Sequence, residues 1–361
     1  MKKNTPNHQS DQQTVIGIDL GDKQHAVCII DKRHGKILKE FSIRNRTKDL
    51  KKLADDFPLS LIAMEVSTHS PWISRLFEIA GLEVLVANAR KVRAISANER
   101  KCDLLDARLL AKLARSDRDL LHPIQHVSEE AQRDLLSIKL RDSLVRSRVA
   151  LLNSMRGALK ALGIRLPSCT SGSFASKARS HLEQDHPELL PALDPSLKIL
   201  EGLTTQIKEC ERAIDHIAQS HYPQAQKLQQ IPGVGPITSL SFVLSVEDPA
   251  RFEDARDIGA WLGLVPRRDQ SGDTDKQLPI SKTGNCFLRK LLVQGAQFLL
   301  GPFGPDCDLR RYGLNLADRG GKAAKKKATV AVARKLAVLM LTLWQKQSDY
   351  EPLYNSQSAA A

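Results

Sequence analysis

Residues 14–21 read Thr14-Val15-Ile16-Gly17-Ile18-Asp19-Leu20-Gly21. Val15, Ile16 and Ile18 are apolar and β-branched, the composition of a buried strand. Asp19 breaks the run near its end. An acid there is not needed to hold the sheet, and its meaning depends on which other acids join it. Working outward, 25–31 (HAVCIID) reads as a second strand and 36–43 as a third, with Arg33-His34-Gly35 as the hairpin turn between them. Thr47 is placed to cap a short helix ending near Asp56. A fourth strand is expected over 59–66, a helix over 71–80 with Pro71 in its first turn, a fifth strand over 83–88, and a long helix from Asp103 to Ser116.

Three strands joined by short turns, then alternating helices and strands, is an order similar to that of ribonuclease-H-like folds. In that layout the first strand is central and the fourth lies beside it. Glu65 stands near the end of the fourth strand. Asp103 and Asp106, spaced i, i+3, project from one helix face. Asp19, Glu65, Asp103 and Asp106 then converge, and the apolar stretch 109–113 docks their helix on the sheet. Four charged carboxylates repel one another unless cations intervene. Two hard divalent ions would offset the repulsion and could activate an attacking oxygen and stabilise a leaving one in phosphoryl transfer. Asp103 taken alone also reads as a helix N-cap. The stretch Gly17-Ile18-Asp19-Leu20-Gly21 also fits the first phosphate loop of actin-like ATPases. Those need a second glycine-rich strand turn, and Asp318-Arg319-Gly320-Gly321 follows no strand-like run.

From 127 to 220 the pattern changes. Ala131, Leu135, Ile138, Val145, Val149, Leu152 and Leu159 recur at heptad-like spacing, interrupted by Asp142, and Leu193, Leu197, Leu200, Ile207, Ile214 and Ala218 repeat it. Two long helices are expected, paired as an antiparallel coiled coil or a dimerisation arm, with a Ser-, Pro- and Gly-containing stretch from Pro167 to Pro195 between them. The basic residues on the first helix suit a solvated face or a nucleic-acid-contacting face equally.

Residues 223–345 read as short helices, loops and a final apolar helix near Thr329–Leu343. Leu228-Gln229-Gln230-Ile231-Pro232-Gly233-Val234-Gly235-Pro236 resembles a helix-hairpin-helix, whose glycines and exposed N–H groups bind phosphate without reading sequence; an ordinary helix connection fits it as well. Arg267 and Arg268 precede Gln270-Ser271-Gly272, and Lys282, Asn285 and Arg289 follow in Ile280-Ser281-Lys282-Thr283-Gly284-Asn285 and Leu288-Arg289-Lys290. Ser271 is expected in a polar loop among basic residues. A serine there can attack phosphorus if cations stabilise the charge and a base takes its proton, and Ser281 is a second candidate. The basic run Lys322–Lys327, with Lys325, Lys326 and Lys327, reads as flexible and able to grip phosphates.

The 361 residues include 54 Lys and Arg against 41 acids, a net charge of +13, which favours a polyanionic partner. Aromatic residues make up 4%, so base stacking is not expected to dominate binding. The six cysteines form no CxxC pair, excluding a zinc knuckle or disulfide framework and fitting free thiols in a reducing cytoplasm. No signal peptide and no uninterrupted apolar run of membrane-spanning length is read, so a soluble cytoplasmic protein with no membrane partner is expected.

In order and spacing, GIDLGDK at 17–23, MEVS at 64–67, KCDLLDA at 101–107, IPGVGP at 231–236, GLVPRR at 263–268 with QSG, and ISKTGN at 280–285 with LRKLL resemble the DEDD transposases of bacterial insertion sequences, described as bridge-RNA-guided recombinases. The likeness runs from about Thr14 to Leu343. It implies a polar tail at 1–13, a RuvC-like catalytic domain at 14–125, a helical coiled-coil region at 126–222, a C-terminal transposase domain at 223–345, and a tail at 346–361. The implied fold class is α/β plus all-α: a ribonuclease-H-like (RuvC-type) domain, coiled-coil helices, and a mainly helical domain with a helix-hairpin-helix-like motif. It further implies Mg2+ held by Asp19, Glu65, Asp103 and Asp106, and Ser271 forming a covalent phosphoserine link to DNA. The carboxylates of one protomer would meet the serine of another, in a homodimer that pairs into a tetramer on target and element-end DNA. A noncoding guide RNA would pair with both DNAs, leaving the protein mainly backbone contacts. Cys102 stands where a small polar residue is expected. The alternative function is a metal-dependent Holliday-junction-type endonuclease that never links to DNA. A third reading is a non-catalytic nucleic-acid-binding protein with a decayed site, against which the presence of all four acids argues.

Overall fold

The computed structural model describes residues 13–92, 102–272 and 274–355. The expected polar tail at 1–13, all but its last residue, and the end of the expected tail at 346–361, from 356 onward, lie outside the described residues. The chain forms two compact units, Met1–His126 and Val127–Ala361.

The first unit is built on a five-stranded sheet in the order β3-β2-β1-β4-β5. Its strands are β1 (Thr14–Leu20), β2 (Gln24–Asp31), β3 (Ile37–Arg44), β4 (Leu61–Glu65) and β5 (Glu83–Ala87). β1, β2 and β3 are successive antiparallel neighbours, whereas β4 runs parallel to β1 and β5 parallel to β4. Side chains alternate between the faces. Val15, Cys28, Ile30, Leu61 and Ala63 meet α3 (Asp103–Ser116) through Ala107, Leu110, Ala111 and Ala114. Ile16, Ile18, Val27, Ile29, Ile62 and Met64 meet α1 (Thr47–Asp56) and α2 (Ser70–Ile79) through Leu50, Leu53, Ile73 and Phe77. With both faces covered, β1 is buried from Val15 to Ile18, which is why that stretch is a continuous apolar run rather than an alternation. The turn between β2 and β3 closes as expected, with Gly35 at φ +68° donating to Asp31 O. Thr47 does not cap α1. Arg46 occupies the cap position, its side chain bonded to Asp49, and Thr47 is the first helical residue.

The second unit is mostly helical. α4 (Glu129–Ala161) and α6 (Leu190–His221) pair antiparallel, since Leu135 and Ile138 share one core with Ile214 and Ala218 while Leu152 and Met155 share another with Leu197 and Leu200. The seam loosens in the middle. Val149 is 39% exposed, and Asp142 is drawn out to Lys290 Nζ at 2.6 Å. The Ser/Pro/Gly stretch between the long helices contains a helix of its own, α5 (Phe174–Asp185), whose Phe174, Ala178 and Leu182 close the far core.

The near core is continuous with α7 (Pro223–Leu228), α8 (Pro236–Val246), α9 (Asp257–Trp261), α10 (Cys286–Leu300), α11 (Asp308–Ala317) and α12 (Gly321–Lys346). Two expectations are corrected here. A hairpin of β6 (Pro266–Ser271) and β7 (Thr274–Ile280) lies where the sequence suggests only helices and loops; apart from the half-buried Leu278 and Ile280 at the end of β7 its residues are exposed and mostly polar, so no sustained apolar alternation marks it. The run Lys322–Lys327 is not flexible but forms the first turns of α12, because the apolar register from Ala328 onward propagates the helix backward. By length and composition α12 also passes for a bilayer-crossing helix, but Arg334 and Lys335 interrupt its apolar run, and Val332, Leu336, Met340 and Leu341 are buried in the core of this unit.

Candidate active site

Gly17 sets the first half of the site. A methyl at its Cα would lie 2.0 Å from Ala107 O and 2.6 Å from Ala111 N, so α3 rests with its backbone directly on β1. Only glycine permits that approach. Val15, Gly17 and Asp19 share one face of β1 by strand alternation, and Leu61, Ala63 and Glu65 share the same face of β4. Ile18 pairs with Met64 in the parallel ladder, so Asp19 and Glu65 follow side by side on neighbouring strands. Asp103 and Asp106 occupy the first turn of α3, with Cys102 at the cap position. Asp103 is therefore not the N-cap. Both acids sit where the helix dipole favours negative charge. The helix is also held by Arg108, which donates from Nε and Nη2 to Glu40 of β3 at 2.8 and 2.9 Å. Nothing in the sequence signals that bidentate pair, whose partners are 68 residues apart.

The other three acids act on Asp19. The Asp19 carboxyl is raised from 3.8 to about 6, first by burial and then by the charges of Asp103, Asp106 and Glu65, against a lowering bond from the Leu20 backbone. Such mutual repulsion in an all-oxygen donor set is what a hard divalent cation relieves. The donor chemistry therefore fits the implied metal. The shell is not closed, however: no three His, Cys, Asp or Glu side chains among the described residues stand in ligating geometry.

The second unit carries the other predicted residues. Ser271 is exposed and ends β6, paired with Thr274 across the hairpin tip, rather than lying in an irregular loop. Ser281 is half-buried and bonded to Thr283 Oγ1 at 3.0 Å. Arg267 is exposed, while Arg268 is engaged by Asp275 on the facing strand, Nε to Oδ1 at 2.6 Å. Asn285 caps α10, accepting from the Phe287 and Leu288 N–H groups and donating to Ser245 Oγ. Arg289 donates to Leu262 O and Thr283 O, both at 2.7 Å. That bond set joins two of the quoted motifs. It works with Gly284 (φ +74°), where a methyl would meet Trp261 O at 1.9 Å. Gly233 (φ +83°) approaches Gly295 of α10 so closely that a methyl would meet Gly295 O at 2.7 Å, and Gly235 is exposed at the start of α8. Lys282, Lys325, Lys326 and Lys327 are exposed.

Comparison with known proteins bears on both units. Residues 16–164 match the DEDD transposase family of IS110-type elements, described as Transposase, and residues 225–306 match the family described as Transposase IS116/IS110/IS902 family. The chain is similar to the transposase for insertion sequence element IS1328 of Yersinia enterocolitica, 32% identical over 79% of this chain and 83% of that protein. It is also similar to the transposase for insertion sequence element IS1111A of Coxiella burnetii, 29% identical over 93% and 91%. A probable family 20 transposase of Pseudomonas aeruginosa is 27% identical over 93% and 98%.

Proposed function

Because this chain belongs to the IS110-type family of DEDD insertion-sequence transposases, we propose that it recombines DNA by combining a divalent-metal carboxylate site with a nucleophilic serine. The carboxylates are Asp19, Glu65, Asp103 and Asp106, carried by a ribonuclease-H-like domain; the strand order β3-β2-β1-β4-β5 supports that assignment. The single observation that carries the reading is the placement of Asp19 beside Glu65 on neighbouring strands, with Asp103 and Asp106 in the first turn of the helix docked on β1. Magnesium bound there supplies Lewis acidity and charge neutralisation at the phosphate being cut.

The protein's own part is as follows. Asp19 and Glu65 hold the sheet side of the pocket, and Asp103 and Asp106 the helix side. Ser271 Oγ attacks the DNA phosphorus and gives up its proton to solvent, forming a phosphoserine ester as the bond to the leaving strand oxygen breaks and that oxygen takes up a proton to become a free DNA hydroxyl. Rejoining is the reverse attack by a DNA hydroxyl, which frees the serine. Ser271 is favoured over Ser281 because it is exposed at a hairpin tip, whereas Ser281 is half-buried and bonded to Thr283. The exposed Arg267, Lys282 and Lys325–Lys327 form the backbone-gripping surface. Asn285 and Arg289 serve the fold around it. The guide RNA, the homodimer that pairs into a tetramer, the exchange of catalytic groups between protomers and a cytoplasmic place of action complete the proposal.

The test is a denaturant-resistant protein–DNA adduct formed on element-end DNA with Mg2+ and the element's RNA. Wild type and Ser281→Ala form it; Ser271→Ala does not. An adduct that persists in Ser271→Ala refutes the serine assignment. Cleavage without any adduct in the wild type favours the hydrolytic junction endonuclease.

A further inference from the structure

Asp19 and Glu65 each stand at the end of a strand, one residue beyond the Ile18–Met64 rung of the β1–β4 ladder, so how the following turns are tied bears on their spacing. Asp22, three residues past Asp19, lies in the β1–β2 turn. Its carbonyl oxygen accepts from Asn45 Nδ2 at 2.9 Å, and the Asn45 N–H donates to Lys23 O at 2.9 Å. Asn45 directly follows β3, so the far strand reaches back to hold the turn. On the other side, His69, four residues past Glu65, places Nε2 at 3.3 Å from Asp22 Oδ1.

The His69 ring is itself oriented. Trp72 Nε1–H donates to His69 Nδ1 at 3.4 Å, which assigns the ring proton to Nε2 and makes that nitrogen the donor to Asp22. The loop carrying His69 is pinned by Ser67 Oγ, which accepts from the His69 N–H at 3.1 Å and the Ser70 N–H at 3.3 Å. With both ring nitrogens engaged, His69 is disposed to hold a position rather than to shuttle a proton.

Beneath the same turn lies His25, paired with Leu20 across the β1–β2 ladder and fully buried. Burial holds its ring toward the neutral form, and the ring makes a side-chain contact with Asn45, the residue that holds the turn.

We propose that Asp22, His69 and Asn45 are positioning residues, a brace that locks the β1–β2 turn to the β4–α2 loop and so fixes the separation of Asp19 and Glu65 for metal binding; this rests on the carboxylate reading above. The brace acts by holding two ligands in register, as outer partners of metal ligands do.

The test uses the full-length protein and Mn2+ as probe, with free Mn2+ followed by its electron paramagnetic resonance signal and folding followed by thermal melts. The Asp22 side chain is 87% exposed, so Asp22→Ala leaves the core intact. Asp22→Ala and His69→Ala are expected to bind Mn2+ about tenfold more weakly, the low end for outer partners of metal ligands, with melting temperatures close to wild type. Asp22→Asn keeps the acceptor and His69→Gln keeps a donor, so both are expected to bind nearly as wild type. Equal weakening in Asp22→Asn and Asp22→Ala would mean that charge alone matters and would overturn the brace. Wild-type Mn2+ affinity in Asp22→Ala and His69→Ala, alongside its loss in Asp19→Ala, overturns the brace and spares the carboxylate cluster. Undiminished Mn2+ binding in Asp19→Ala removes the cluster and the brace together.

Discussion

Replacing Asp19 by an asparagine should stabilise the metal-free protein. The carboxyl is held at about 6 against an ordinary 3.8, so the folded state favours the neutral form and ionisation opposes folding. At about 1.36 kcal/mol per pH unit, the penalty above pH 6 has an upper bound of about 3 kcal/mol. Asp19 is only partly buried, and solvent screening reduces this to about 1–2 kcal/mol. The sign follows from linkage. Between 3.8 and 6 the folded state holds the proton more tightly than the unfolded chain, so wild-type stability falls as pH rises through that window and levels off above it. The amide of the Asp19→Asn variant does not titrate. The assay is thermal melting of both proteins in a chelator at pH 7.5 and pH 5. Asp19→Asn should melt higher by about 3–8 °C at pH 7.5, and the gap should shrink to about half at pH 5. Adding Mg2+ should raise the wild type and leave the variant nearly unchanged, because only the wild type retains the full donor set. Identical melts for the two proteins at both pH values would refute the claim that burial and the neighbouring acids together raise the Asp19 carboxyl.

Three further outcomes are expected. Gly17→Ala puts a methyl 2.0 Å from Ala107 O; it should cost about 3 kcal/mol or more, visible as a large fall in melting temperature or loss of soluble protein. Arg289→Ala leaves the Leu262 and Thr283 carbonyls without their charged donor; a loss of about 2 kcal/mol in denaturant unfolding is expected, and affinity for DNA should fall no more than stability explains. Arg268→Ala breaks only an exposed pair within the hairpin, so its thermal melt should stay within about 1 °C of wild type.

The elements of the first unit are legible because their causes are local. Apolar runs bounded by turns mark β1 to β5 to within a residue or two, and the i, i+3 spacing of Asp103 and Asp106 puts them on one face of α3. The long helices α4 and α6 announce themselves by heptad-like repeats. Where the cause is not local, the linear pattern misleads. The β6–β7 hairpin is mostly polar and exposed, with only Leu278 and Ile280 half-buried, so periodicity carries little signal, and Ser271 looks like a loop residue. Lys322–Lys327 looks flexible by composition, but the helix that follows extends through it.

By itself the chain determined which chemical groups exist and where they lie along the polymer: four acids at strand ends and a helix start, two candidate serines, and a surplus of positive charge. Only tertiary structure decided which of these meet and which are already engaged. The proximity of α3 to β1 depends on a backbone-to-backbone contact at Gly17. The fates of Arg108, Arg268, Asn285 and Arg289 depend on partners brought in by folding. A residue's identity states what bonds it can make. Which of them it makes is settled when burial removes water as the competing partner, and that depends on contacts the linear order does not contain.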